Sequence, residues 1–321
     1  MIGKRTSANL ENSNAALSTS LNKPDTVKKE EKKLIDLEKP KYTFEDIILN
    51  PRTYEEIMNA ISYKEKSELI FEEWGLNKTH KFSKKIGINL YGDPGTGKTM
   101  VAHAIAHYLK RDLMIVNYAD IESKYVGDTS KNLTKLFEQA KDTNSILFFD
   151  EADAMLSRRV TSMSNSTDVS VNQTRSVLLM LLNNHQDIIL FATNFISNFD
   201  PAFMRRILAH IHFTLPDIDE RKRIWRKLIP EELPTDLDIN QIATDYDNLS
   251  GSDISNSVLM AAFAAARRNE RFVKTSYFND AVQGILKSKQ SNYMESNLQI
   301  KSRIVSEEYA KKQLSLKGES I

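Results

Sequence analysis

One octapeptide, Gly92-Asp93-Pro94-Gly95-Thr96-Gly97-Lys98-Thr99, restricts the folds open to this chain more than any other feature. It matches the glycine-rich phosphate-binding loop, and it stands between an apolar run ending at Tyr91 and a helical pattern beginning near Met100. Glycines let backbone amides turn inward around phosphate oxygens, and the N-terminus of the following helix adds the positive end of its dipole. In such a loop Lys98 reaches the β and γ phosphates, and the Thr99 hydroxyl completes a magnesium shell. A chance glycine turn ending in Lys-Thr would lack the strand before it and the helix after it.

The surrounding pattern agrees with that reading. From Tyr42 onward apolar runs alternate with amphipathic helical stretches, the signature of an α/β domain built on a parallel sheet. Strands are expected over 86–91, 113–117, 146–150, 188–193 and 211–215. After Pro216 the β-like runs stop. Ile224, Trp225 and Leu228, then Ile254, Val258, Ala261 and Ala262, recur at helical spacing instead. The expected order is a polar tail or linker at 1–41, an α/β nucleotide-binding domain at 42–216, a small all-α lid at 217–290 and a C-terminal helix or tail at 291–321.

Charge and composition narrow the function. Forty-four basic residues face forty-three acidic ones, so no global field is present to hold nucleic acid or an anionic membrane. The absence of cysteine excludes disulfides and thiolate metal sites and suits a reducing compartment, with the cytoplasm as the expectation. No apolar run reaches the roughly 18 residues a membrane helix needs. The longest apolar cluster, 259–266, reads as a packing helix, and 161–172, polar and free of glycine, reads as a loop. His103 and His107 lie one helical turn apart without a third ligand, which favours helix packing over a metal site.

Hydrolysis needs more than a phosphate loop. About fifty residues after it, an apolar strand runs into Asp150 and Glu151. Asp150 would hold magnesium directly or through water, and Glu151 would orient and deprotonate the attacking water. The strand at 188–193 leads into Asn194, which either positions that water or simply forms a turn. Two adjacent arginines, Arg205 and Arg206, follow on a short element; in isolation they read as solvated charge.

These motifs in this order resemble the AAA family of the AAA+ superfamily, with the closest likeness to its spastin- and katanin-like members. The resemblance rests on the two acid- and glycine-bearing motifs, on 123–133, on 153–159, on the stretch from Thr193 to Arg206 and on 250–254. It implies ATP and Mg2+ as cofactors, an ATPase activity and a homo-oligomeric ring, expected to be a hexamer. It implies that Lys124, Tyr125 and Val126 form a pore loop gripping a polypeptide, where Tyr125 could otherwise pack on its own domain. Arg205 and Arg206 then become arginine fingers acting in trans. The adenine pocket falls at Asp46, Ile48 and Ile224, with Gly251 and Ser252 facing the phosphates. The chain departs from the family in carrying Ser252 where Ala is usual and in lacking a glycine after the arginine pair.

The function expected from all this is an ATP-driven motor that threads, unfolds or disassembles a protein partner. A nucleic-acid-associated AAA+ ATPase would call for a basic track or an attached reading domain, and neither is present in the sequence. A slow ATP-dependent scaffold or switch is the other alternative, against which Glu151 and Arg205 weigh.

Overall fold

Runs that are buried at every position, such as Ile146–Phe149 and Ile188–Thr193, suit a sheet covered on both faces. The computed structural model of the chain, which describes residues 35–80, 86–117, 129–157, 166–185, 187–194 and 199–291, contains such a sheet. Strands β1 (Ile86–Gly92), β2 (Leu113–Val116), β3 (Ile146–Phe149), β4 (Ile188–Thr193) and β5 (Ala209–Phe213) are ordered β2-β3-β4-β1-β5. Every pairing is parallel, with Ile88 beside Leu190 of β4 and beside Ala209 of β5.

Alternate residues of β4 enter different cores, as the two-residue period of a strand requires. Ile188, Leu190 and Ala192 join a cluster with Ile57 and Ile61 of α1 (Pro51–Glu65) and Val101 and Ile105 of α2 (Lys98–Tyr108). Ile189 and Phe191 join the other face with Leu133 and Leu136 of α3 (Thr129–Thr143), Leu156 of α4 (Asp153–Leu156) and Leu178 of α5 (Ser166–Asn184). A short α6 (Pro201–Met204) leads into β5. Because β1 lies between β4 and β5, its carboxyl end opens into the crevice where α/β sheets bind ligands.

A helical unit with its own core follows Pro216. It comprises α7 (Ile218–Leu228), α8 (Ile239–Asp245), α9 (Gly251–Arg267) and α10, residues 275–291. Trp225 is fully buried at its centre, edge-on to Phe278 at 6.2 Å. Reciprocal capping boxes start α7 (Asp217 with Glu220) and α9 (Ser250 with Asp253), satisfying amides that a helix N-terminus leaves open.

Four expectations need correction. The fifth strand sits two residues earlier than 211–215, because Ala209 and His210 already pair with Ile88 and Asn89. The tail expected through residue 41 ends sooner: Glu38 exchanges backbone hydrogen bonds with Leu113 at 2.8 Å, and Ile35 and Leu37 pack on the core. The loop expected over 161–172 is helical from Ser166, since polar residues without Gly or Pro do not interrupt a helix. The cluster at 259–266 is helical but only half packed. It buries Ala261 and Ala265 while Leu259, Met260 and Phe263 stay exposed. Residues 1–34 and 292–321 lie outside the described residues.

Candidate active site

The loop after β1 is shaped by close approaches that only glycine permits. Gly92 has φ +139°, and a Cβ there would stand 2.0 Å from the Phe213 carbonyl oxygen of β5. Gly95, at φ +76°, faces the start of α9, where a Cβ would meet Ser250 Oγ at 2.7 Å. The Ser252 N–H donates to the Gly95 carbonyl at 3.1 Å, so the lid touches the phosphate loop directly. A second tie is made by Lys227 of α7, whose Nζ donates to the Glu45 carbonyl at 2.8 Å.

Lys98 opens α2 and is buried, its Nζ donating to the carbonyls of Gly92 at 2.8 Å and Asp93 at 2.9 Å. Burial holds its pKa below the usual lysine range, and Asp150, Asp93 and Asp153 partly restore it. An ammonium among carbonyls and carboxylates is suited to exchanging those partners for phosphate oxygens. Thr99 Oγ1 donates to Asp150 Oδ2 at 3.1 Å, which joins the loop to the end of β3. A hydroxyl and a carboxylate are the hard oxygen donors that magnesium takes alongside phosphate and water. The donor set fits that ion.

Glu151 follows in left-handed backbone, φ +50°, an uncommon conformation for a residue with a side chain. The bend is held on both sides: Asp150 Oδ1 accepts the Glu151 N–H at 3.0 Å, and the Ala152 N–H donates to the Ala192 carbonyl of β4 at 2.9 Å. Glu151 is thereby turned out of the strand and onto the wall of the cleft. Asn194 reaches the same wall, its backbone N–H donating to Asp153 Oδ2 at 3.2 Å.

The cleft has a volume of about 670 Å³ and lies between sheet and lid. Asp46, Ile48, Pro94, Gly95, Thr96, Gly97, Lys98, Thr99, Met100, Asp150, Ile224, Gly251 and Ser252 line it, together with Glu151 and Asn194. Asp93 does not, and contributes its carbonyl to Lys98 and to Thr96 Oγ1. The Asp46 carboxylate accepts from the Thr43 N–H and hydroxyl, which hold it below the usual carboxylate range. Its side chain is therefore engaged locally.

Arg205 and Arg206 stand outside this cleft and differ from each other. Arg206 is partly buried and donates to Asn183 Oδ1 at 2.9 Å and to the Ala202 carbonyl at 2.7 Å. Arg205 is exposed. Lys124, Tyr125 and Val126 lie outside the described residues. His103 is buried edge-on against Tyr42, and His107 at the other end of that turn is exposed. Sequence reasoning missed Asn50, Thr53, Glu220, Lys227 and Leu228, which also line the cleft. Asn50 before Pro51 and the Asp-x-x-Glu spacing of Asp217 and Glu220 carried local signals, and these report helix starts rather than a pocket.

Sheet order, phosphate loop and cleft define a P-loop nucleotide-binding domain with a helical lid. Residues 88–215 match the model of the ATPase family associated with various cellular activities (AAA). The chain contains an AAA-family ATPase domain. It is 31% identical to an ATP-dependent zinc metalloprotease FtsH 4 of Sphaerobacter thermophilus, over 79% of this chain and 39% of that protein. It is 35% identical to a proteasome-activating nucleotidase of Methanocella arvoryzae, over 62% of this chain and 50% of the relative. A 26S proteasome regulatory subunit 8 homolog of Schizosaccharomyces pombe is 31% identical, over 79% of this chain and 64% of the relative. The chain thus spans between 39% and 64% of the length of these three relatives. They represent FtsH and proteasomal ATPases, not the spastin- and katanin-like subgroup that the motifs suggested.

Proposed function

We propose that this protein binds ATP with magnesium, hydrolyses it, and uses the cycle to unfold or disassemble other proteins as a ring, expected to be a homo-hexamer. The observation that carries the reading is the convergence of Lys98, Thr99, Asp150, Glu151 and Asn194 on one cleft closed by the lid. Lys98 neutralises the terminal phosphates. Thr99 and Asp150 hold the metal, which when bound supplies charge neutralisation on the phosphate oxygens. Glu151 takes the proton of the attacking water, and Asn194 orients that water.

Two features support the ring. Arg205 is exposed and outside its own cleft, so it is free to complete a neighbour's site, in the arrangement of the spastin- and katanin-like members. Leu259, Met260 and Phe263 give the lid an apolar surface that a neighbouring copy would cover. The relatives include a proteasome-activating nucleotidase and a 26S proteasome regulatory subunit homolog, and a protein substrate follows by analogy. Among the described residues no helix is long and apolar enough to cross a membrane, and a cytoplasmic setting goes with this reading.

Two variants test it. Lys98→Ala should lose ATP binding in a titration, while Glu151→Gln should keep binding, lose about a thousandfold in turnover, and accumulate as a ring in ATP. Unimpaired binding in the Lys98 variant, or wild-type turnover by a Glu151→Gln monomer, would overturn the proposal.

A further inference from the structure

The three most exposed large apolar side chains among the described residues fall on two separate parts of the chain. Trp74, 65% exposed, follows a π-helical turn (Leu69–Glu73) beyond α1. Phe263 and Met260, 63% and 57% exposed, lie on α9 of the lid. Each group is open to solvent, so neither covers the other.

Both surfaces stand on backbone fixed by its own contacts. The Trp74 N–H donates to the Leu69 carbonyl at 2.9 Å, and Phe71 of the same turn is buried edge-on against Tyr63 at 5.4 Å. Phe71 anchors the turn and Trp74 is left outside. On α9, Ile254, Val258, Ala261 and Ala265 recur at helical spacing and pack in the lid core. Asn256, Met260, Phe263 and Arg267 recur at the same spacing on a face that is exposed throughout.

Charge distinguishes the two surfaces. Residues 65–74 carry Glu65, Glu68, Glu72 and Glu73 against the single base Lys66, all of them exposed. Residues 259–274 carry Arg267, Arg268, Arg271 and Lys274 against the single acid Glu270. Glu270 is paired with Lys274, and Arg268 lies over the Tyr277 ring at 4.7 Å. Arg267 and Arg271 make no hydrogen bond or ion pair among the described residues. An apolar centre with a charged rim is the make-up of an association surface. Two copies meeting through their Trp74 surfaces would set glutamate against glutamate, whereas the Trp74 surface against the lid surface sets acid against base.

We propose that the Trp74 surface of one copy docks on the Leu259, Met260 and Phe263 face of the next copy's lid, its glutamates facing Arg267 and Arg271. The assignment rests on the ring reading above and names the surface that covers the lid. The two halves of the contact lie at different places on one chain, so the contact runs head to tail and can close into a ring. A self-matching contact would stop at two copies. A buried Trp withdraws about 150–250 Å² from water and supplies the apolar centre, while the charges set orientation and association rate.

The test is sedimentation of the full chain with magnesium and the non-hydrolysed analogue AMP-PNP, as wild type, Trp74→Asp, Phe263→Asp and an equimolar mixture of the two variants. Both side chains are exposed, so each variant should melt within about 2 °C of wild type. Each alone should need at least about thirtyfold more protein to assemble. In the mixture the intact Trp74 surface of one variant meets the intact lid of the other, and the product should stop at two chains. Reversing Glu72 and Glu73 to Arg, or Arg267 and Arg271 to Glu, should each weaken assembly, and the two reversals in one chain should recover it in part. Rings formed by both Asp variants at the wild-type concentration, or absence of that recovery, would overturn the proposal and leave the ring itself standing. Loss of assembly in Phe263→Asp with Trp74→Asp unaffected would overturn it too, by giving the lid face a different partner. A wild-type chain that stays single at every concentration would instead remove the ring reading beneath it.

Discussion

Arg205 and Arg206 are neighbours in sequence with the same charge, yet their surroundings assign them different work. Arg206 ties α6 to α5 through Ala202 and Asn183, and its replacement by Ala should cost about 1 kcal/mol of stability in denaturant unfolding. Arg205→Ala should stay within about 0.5 kcal/mol of wild-type stability and lower ATP turnover about a hundredfold or more, recovered in part when mixed with Lys98→Ala. Equal stability losses in the two variants would contradict this division. The sequence identified the pair but not the division, because the decisive partner Asn183 belongs to a different helix. Glu151 was legible as a strand-end acid. Its left-handed backbone, fixed by Asp150 and by β4, was not.

At the level of elements, the helix starts rest on local chemistry, because a cap satisfies amides a few residues away. Asn50 before Pro51, Asp217 with Glu220 and Ser250 with Asp253 each satisfy amides within a few residues. Ser250 is buried, accepts from the Asp253 N–H and donates to the Asp253 carboxylate, which is also paired with Lys289 of α10. Ser250→Ala should therefore destabilise the lid by about 1 kcal/mol, measured by thermal or denaturant unfolding, and loosen the approach of α9 to Gly95. Strand ends were less legible. The start of β5 at Ala209 is set by its register against β1, and nothing in its own composition marks that residue.

For the whole molecule, buried titratable groups link stability to pH. Burial lowers the pKa of His103 and of His210 below the ordinary 6.5, with Lys41 lowering His103 further and Met204 partly restoring His210. Below 6.5 the unfolded chain takes up protons that these imidazoles refuse in the fold, so their contribution is lost as pH falls. Glu220 acts in the opposite sense: between 4.5 and its raised folded value the fold retains a proton the unfolded chain has released. In a Glu220→Gln background the melting temperature should accordingly be lower at about pH 5.5 than at about pH 7.5. Replacing both histidines with Gln should flatten that difference.

The sequence by itself determined the fold class, the phosphate loop and the acids of β3. Each rests on residues close together in the chain, where period and motif chemistry act without help. Only the tertiary structure decided which side chains meet across long separations. Gly95 against Ser250, Lys227 against Glu45 and Glu220 within the cleft are such cases, since their positions follow from how the lid docks on the sheet. A docked contact depends on two surfaces at once, and neither stretch of sequence carries the other's shape.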